Sequence, residues 1–491
     1  MARDPQGALV ALNRFGFGAR GGASGDIVNA ASDPRGFVKA ELARPNGVLL
    51  ELPGLQSTPA LAQALYAYQL EAKAAREAVK AAEAAPPSMD GKPDAMAPAG
   101  NTVMTVQPDA PKPPAAPPQP LNVVQKVFRA ESLARIQRAT IADCGFTERL
   151  VTFWSNHFCI SANKGEPARI WAGAFEREAI RPFVLGRFGD MLRAVEQHPA
   201  MLFFLDNQQS IGPTSKAGQN GKRGLNENLA REIMELHTLG VGGGYSQGDV
   251  TALARIITGW TFAGREGKLG APGSFAFNAN AHEPGVQNLL GKSYDDTGVT
   301  QGEAALADIA RHPATARFIA TKFAQHFVAD TPPPALVARL EAVFKKSDGD
   351  LKALSLALLD ADEAWSAPLT KVRSPYEYLI ATGRLLARIP DDPNRYIGSL
   401  NTLGQPLWTP PGPNGFADSN AAWAVPEGIR LRLDIAAQVS ARIADSVDAR
   451  ELLEVVAGEA ASKDTRDTVA RAETRQQALA LLLMSPEFQR R

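Results

Sequence analysis

Hydrophobic positions recur along this chain at spacings of three and four residues, while strict alternation is scarce, so the pattern predicts helices over most of its length. Residues 57–84, TPALAQALYAYQLEAKAAREAVKAAEAA, are dominated by alanine, lysine and glutamate and predict one long helix. The periodicity resumes near Leu121 and runs with short breaks to Asp206, through VVQKVFRAESLARIQRAT, TERLVTFWSNHF and EPARIWAGAFEREAI. His198-Pro199-Ala200 and His312-Pro313-Ala314 each place proline at a first helical position, where its missing N–H costs nothing, and the preceding histidine reads as a cap. Further helices are predicted over Pro313–Asp330, Pro334–Lys346, Pro375–Arg388, Gly428–Ile443 and Arg466–Leu483.

Two stretches break the helical pattern. Phe262 to Tyr294 is rich in glycine, asparagine and aromatic residues and predicts a long loop with one short hairpin. Leu403 to Asn420, LGQPLWTPPGPNGFADSN, reads either as an ordered turn-rich segment or as a flexible lid. The fold class is therefore all-α: a large multi-helix assembly with long irregular loops and at most one short β-hairpin. At 491 residues the chain exceeds what a single hydrophobic core ordinarily serves. It divides into an N-terminal helical part (1–84), a proline- and alanine-rich insertion (85–120) too poor in apolar surface to offset ordering, and a main helical domain (121–491) whose motifs cluster at 198–294.

Composition narrows the function classes only a little. Apolar residues make up 45% and charged residues 21%, which excludes a wholly disordered chain. Lysine plus arginine equals aspartate plus glutamate at 52 each, so no global field favours nucleic acid, and no nucleic-acid partner is expected. No window approaches the roughly twenty apolar residues that a membrane span needs. The start, MARDPQGALVALNRFGFGAR, lacks the apolar core of an export signal, so the sequence as written reads as cytoplasmic. Cys144 and Cys159 have no CxxC spacing and are expected to be free thiols, with a bridge between them left open.

Candidate chemistry concentrates on Asn226 to Gly240, NENLAREIMELHTLG, read as one continuous helix ending at glycine. At about 100° per residue Leu229, Ile233 and Leu236 share one face, Glu227, Asn228, Arg231, Glu232 and Glu235 form a polar stripe, and His237 sits at the border. One reading is a ladder of helix salt bridges around Arg231, worth a few tenths of a kcal/mol per pair, roughly. The other is a row of carboxylates facing a cleft, with Glu232 and Glu235 as acid, base or metal ligand. Ser246 and Asp249 then form a capping box that sets the turn Gly240 to Tyr245 in place.

The remaining signals are weaker. Asp206 to Ser210 reads as the cap of an apolar helix, and His157 in FWSNHF as a core histidine. The six histidines form no HExxH or HxH pair, so a histidine metal site would have to assemble across distant segments; His282 is the most loop-like of them. Gly16, Gly18 and Gly21 satisfy GxGxxG but lack a βαβ context, and read instead as a turn anchored by Arg14 and Arg20. Lys222 and Arg223 read as a basic surface loop.

Taken in order, LNRFGFG, ERLVTFWSNHF, HPAMLFFLDNQQSIG, NENLAREIMELHTLGV with YSQGDV and ITGW, KVRSPYEY, LGQPLWTPPGPNGF and SPEFQ resemble the bacterial domain of unknown function 1800 family over nearly the whole chain. The resemblance implies a mostly helical protein, often encoded beside one that looks like the alkaline phosphatase and sulfatase group, with many members exported. It implies no established activity. On its signature fall Asn226, Glu227, Arg231, Glu232, Glu235, His237, Gly240, Asp249, Arg255, Gly259 and Trp260, together with Asp206, Asn207, His157 and His282. This sequence departs from it at Glu283, where aspartate is expected, at Gln287, where lysine is common, and in showing no export signal, which leaves periplasmic co-export with a partner as the alternative location.

The expectation is a hydrolase acting on an envelope or extracellular polymer. Its catalytic groups would be Glu232, Glu235, His237 and Asp206, and its substrate contacts Asn226, Asn228, Arg231, Asn207, His282 and Trp260. A divalent metal is one option, with its ligands unassigned. The competing expectation is a non-enzymatic scaffold or maturation partner of a phosphatase- or sulfatase-like protein, and a third is a lyase with a base such as Tyr245.

Overall fold

The computed structural model describes residues 3–44, 47–84, 121–221 and 224–491. The insertion at 85–120 and the basic pair Lys222-Arg223 lie outside the described residues. Helices dominate, and the long N-terminal one spans Thr58–Ala84. Both histidine-proline starts behave as caps: the Nδ1 atoms of His198 and His312 accept from the backbone N–H of Ala200 (3.1 Å) and Ala314 (3.2 Å), opening Pro199–Phe204 and Pro313–Phe327. The helix Pro334–Lys346 has the bounds its periodicity predicts, and Pro375–Leu385 starts on a capping box of Ser374 and Glu377.

The predicted helix Arg466–Leu483 is two helices, Lys463–Ala470 and Arg475–Leu483. Thr474 takes the N-cap of the second, accepting from the N–H of Gln477 at 3.1 Å, and this local bond competes successfully with a continuous helical ladder. In the long irregular stretch the structure forms two strand pairs where one was expected. β1 (Trp260–Phe262) pairs antiparallel with β2 (Phe275–Phe277), and β3 (Gln287–Leu289) with β4 (Lys292–Tyr294). Leu290 and Gly291, both at positive φ (51° and 76°), make the tight turn between β3 and β4.

Among the described residues no strand precedes the GxGxxG motif; a short helix, Pro5–Val10, runs into the π-helical turn Ala11–Phe15. A Cβ on Gly16 would strike the carbonyl of Cys144, and one on Gly21 that of Leu385, so these glycines let two backbones touch rather than cradle a phosphate. Arg14 donates to the carbonyls of Ala364 (2.6 Å) and Pro368 (2.8 Å), and Arg20 grips Asp26 at 2.9 Å, the anchoring roles their positions suggest. Among the described helices, none is long and apolar enough to cross a membrane.

Burial is arranged around two apolar clusters. The larger runs from the N-terminal helices through Ala364; the smaller gathers Tyr376 to Phe488 with Leu9, Phe17, Ile136 and Ala139. Between them lies a network of buried charge. Glu377, 1% exposed, pairs with Arg149 on one oxygen and with Arg491 Nε on the other at 2.8 Å. Arg491 continues to Asp418 (3.1 Å), which also takes Lys371 (3.1 Å), and Lys371 reaches Asp330 (3.0 Å). A second buried network joins Arg181 to Glu148 (2.8 Å) and Glu176 (3.0 Å), with Arg135 on Glu176 at 2.7 Å.

Burial by itself would raise the Glu377 carboxyl, but Arg149 and Arg491 outweigh it and hold it at about 2. Its folded value lies below the roughly 4.3 of an unfolded glutamate, so its contribution is present above that pH and is lost as pH falls toward 2. Replacing Arg149 with methionine leaves a buried carboxylate half-compensated and is expected to cost about 3–5 kcal/mol in urea denaturation at pH 7. The deficit should shrink below about pH 4; a deficit independent of pH would mean that Glu377 is not the group affected.

Candidate functional site

The central motif does not form one regular helix. Asn228–Glu232 is α-helical, and Ile233–Thr238 continues it as a π-helical turn. The wider turn admits an extra residue, which rotates everything beyond Glu232 relative to the expected faces. Leu236 is consequently half-buried rather than core, while Met234 and His237 point inward, at 0% and 1% exposed. The Thr238 hydroxyl stabilises the turn by donating to the carbonyl of Ile233 at 2.5 Å.

The start of this element is fastened to its neighbours. Asn226 Nδ2 donates to the carbonyl of Asp206 (3.2 Å), and Asn228 Nδ2 faces that of Leu205 (3.4 Å), which ties the motif to the end of Pro199–Phe204. Glu227 accepts from Thr251 (2.7 Å), Gln247 (2.8 Å) and Arg231 (3.2 Å), and Arg231 also reaches Gln247 (2.9 Å). These bonds dock the motif on the helix Gln247–Ile256, which opens on the expected Ser246–Asp249 capping box. The ladder around Arg231 thus includes Glu227 and runs between helices.

Four of the sequence-selected residues form a separate group near β1. Asp206, in the left-handed region at φ 58°, pairs with Lys164 at 2.5 Å. Asn207 Nδ2 donates to the carbonyls of Ile257 (3.2 Å) and Trp260 (3.0 Å), and Trp260 is fully buried. His282 Nδ1 donates to the carbonyl of Thr258 at 2.9 Å, leaving Nε2 3.5 Å from Asp296. Glu283, at the position of departure from the family pattern, accepts from the N–H of Thr214 at 2.8 Å. Apart from Lys164 and Thr214, these partners lie between Ile257 and Asp296.

Glu232, Glu235 and His237 remain together, and the structure adds partners that sequence reasoning missed. His237 Nδ1 lies 2.8 Å from Glu196 Oε1, and both side chains are essentially excluded from solvent. A carboxylate can only accept, so Nδ1 carries the proton and, in the neutral ring, Nε2 holds the lone pair. The His237 carbonyl accepts from His157 Nε2 at 3.0 Å, which by the same logic makes His157 Nδ1 an acceptor; it is buried with no hydrogen-bond partner. Burial holds the His157 ring well below its ordinary range, with Lys322 and His237 adding to the effect, so it stays neutral. Burial also pushes the half-buried Glu232 carboxyl upward; His237 opposes this and Glu235 adds to it.

Beside His157 opens a cavity of about 220 Å³, lined among others by Asn156, Lys322, Gln325, His326 and Asp418. Its outer wall is the proline-rich segment Leu403 to Asn420, which is an ordered strap. Asn156 donates to the carbonyl of Phe416 (2.9 Å) and accepts from its N–H (2.8 Å), Cys159 Sγ donates to the carbonyl of Pro413 (3.2 Å), and the N–H of Ala162 donates to that of Trp408 (2.8 Å). His326 is committed at both nitrogens: Nδ1 donates to Asp418 at 2.5 Å and Nε2 accepts from Arg149 at 3.2 Å. Burial, opposed by Asp418, brings that ring down to about 4. Cys144 and Cys159 are both free and buried, and burial pushes the Cys159 thiol up to about 12.

Among the described residues no three histidine, cysteine or carboxylate side chains converge as metal ligands. Glu196 Oε1 and His157 Nε2 are engaged by His237, while Glu196 Oε2 and His157 Nδ1 have no hydrogen-bond partner. Of the missed residues, Lys322 and His326 left one legible trace, a polar pair four residues apart among the alanines and phenylalanines of ATARFIATKFAQHF. Glu196 left none.

Because the Glu232 carboxyl is raised in the folded state, its contribution is favourable at low pH and fades as pH rises through its folded value. Glu232→Gln should therefore melt no lower than the parent at pH 7, with any gain disappearing below about pH 4; parallel melting curves across that range would show that the carboxylate ionises freely. Gly415, at φ 77°, packs its Cα against Asn156, where a Cβ would strike the Asn156 carbonyl. Gly415→Ala is expected to cost about 1–2 kcal/mol of left-handed strain and to expose the strap to limited proteolysis between 403 and 420; an unaltered cleavage pattern would show the strap held independently of that contact.

The family model described as a protein of unknown function (DUF1800) matches residues 10–490. No curated protein and no solved structure matches the chain. With the match spanning nearly its full length, the chain belongs to the DUF1800 family.

Proposed function

We propose that this protein is a hydrolase in which His237, oriented by Glu196, acts as general base and Glu232 as general acid, beside the cavity lined by His157 and Lys322. The observation that carries the reading is the 2.8 Å contact between two fully buried groups, Glu196 and His237, next to a half-buried carboxyl that ionises reluctantly. An imidazole oriented by a buried carboxylate, beside a carboxyl whose ionisation burial disfavours, suits the first to take a proton and the second to give one.

In this mechanism His237 Nε2 takes a proton from water, and the imidazolium that forms is stabilised through Nδ1–H by Glu196. The hydroxide portion bonds to the electrophilic centre of the substrate. As the bond to the leaving oxygen breaks, protonated Glu232 supplies the proton that oxygen needs. Glu235 contributes by keeping Glu232 protonated, and burial together with Glu235 holds the Tyr245 hydroxyl in its donor form. An envelope or extracellular polymer as substrate, and a phosphatase- or sulfatase-like neighbour, are suggested by the family resemblance.

A scaffold or maturation role is favoured by a different observation: Asn226, Asn228, Glu227 and Arg231 are all engaged in bonds within the protein, which leaves the signature helix a structural task. The two readings part on turnover. Against chromogenic phosphate, sulfate and glycan esters, Glu232→Gln and His237→Gln should each lower kcat by about 10²–10⁴ with the melting temperature retained. Turnover that is unchanged in both variants would remove these roles, and an inactive parent that binds its phosphatase-like neighbour one to one would favour the scaffold.

A further inference from the structure

The strap Leu403 to Asn420 also covers a second cavity, of about 60 Å³, beside the helices Val123–Ile141 and Phe146–His157 and the start of Pro375–Leu385. Phe175, Ile160, Leu407, Trp408 and Phe416 give it apolar walls. Trp408 sits at φ 50°, a left-handed conformation that a bulky residue keeps only where its surroundings enforce it.

Two polar residues on these walls have donors to spare. The Arg135 guanidinium lies 4.6 Å from the centroid of the Tyr376 ring and 5.7 Å from that of Trp408. Its Nε pairs with Glu176 at 2.7 Å, while its two terminal nitrogens, like the Tyr376 hydroxyl, make no hydrogen bond among the described residues. These three atoms keep solvent-accessible surface although Arg135 is only 6% and Tyr376 only 4% exposed, and both residues line the cavity. Burial pushes the Tyr376 hydroxyl up to about 12 against the pull of Arg135, so at neutral pH it is a donor.

The charges around the cavity are uneven. Three guanidiniums, those of Arg135, Arg181 and Arg138, share two carboxylates, Glu176 and Glu148. Glu176 also lines the cavity, but it is neutralised by Arg135 and Arg181 and accepts from the Ser155 hydroxyl at 3.0 Å. A planar fork of unused N–H donors beside an O–H donor matches the two oxygens of a carboxylate.

We propose that this cavity binds a short aliphatic monocarboxylate, its oxygens on the terminal nitrogens of Arg135 and the hydroxyl of Tyr376 and its chain against Trp408 and Leu407. Size sets the class: at roughly 10–15 Å³ for each water-sized body, the space suits a ligand of about five non-hydrogen atoms, the size of propionate. The site is independent of the hydrolase reading, since neither Arg135 nor Tyr376 takes part in the proton transfers at His237 and Glu232. Asn156, which fastens the strap, lines both cavities.

The test titrates the full chain with propionate by ligand-observed NMR, with propionamide as the uncharged analogue of the same shape. Propionate is expected to bind saturably and propionamide about tenfold more weakly, because it brings no charge to the fork. Tyr376→Phe removes only a hydroxyl without a partner and keeps the ring against Arg135, so it should weaken propionate about tenfold at an unchanged melting temperature. Arg135→Lys keeps a cation for Glu176 but gives up the fork, and should weaken binding by about tenfold or more. Absence of saturable propionate binding, equal affinity for propionamide, or an affinity for propionate unaltered in Tyr376→Phe would each overturn the proposal.

Discussion

Glu377 held between Arg149 and Arg491 is the constraint from which the rest of the arrangement follows. A carboxylate removed from water in this way is stable only if both oxygens keep their cationic partners in good geometry. The requirement joins the helix Phe146–His157, the helix Pro375–Leu385 and the C-terminal residue Arg491 in one place. Through Arg491 it extends to Asp418, and through Arg149 to His326. Two apolar clusters that could slide against each other are thereby locked in register.

The candidate site inherits its shape from that lock. Asp418 belongs both to the charge network and to the strap that walls the cavity, so the strap is held at one end by ions and along its length by Asn156, Cys159 and Ala162. On the opposite side the π-helical turn at Ile233–Thr238 turns His237 inward onto Glu196. Such turns cost backbone regularity, and they recur where a side chain must be aimed rather than merely packed. The result is a neutral His157 braced by the carbonyl of His237, with Lys322 facing a space that the protein leaves unfilled.

Several groups selected for chemistry also carry structural bonds. Asn226 and Asn228 hold one helix end against another, Asn207 secures β1, and Asp206 pairs with Lys164. Their residue types suit caps and short hydrogen bonds as well as catalysis, so composition alone could not separate the two uses. The groups that define the cavity were unremarkable by type and spacing. Lys322 looked like one more cation on an amphipathic helix, and Glu196 like the last residue before a turn.

The sequence by itself determined the helical class, the caps at His198 and His312, the capping box at Ser246, and the family, because these depend on residues within a few positions of one another or on motifs met in order. Even there, local competition that periodicity does not weigh set the break at Thr474 and the π turn after Glu232. Only the tertiary structure decided what His237 touches, since Glu196 lies 41 residues away, and what Glu377 touches, since Arg149 is 228 residues before it and Arg491 114 after. Burial, partner and charge state are properties of three-dimensional neighbours, and no period along the chain encodes which distant segment will supply them.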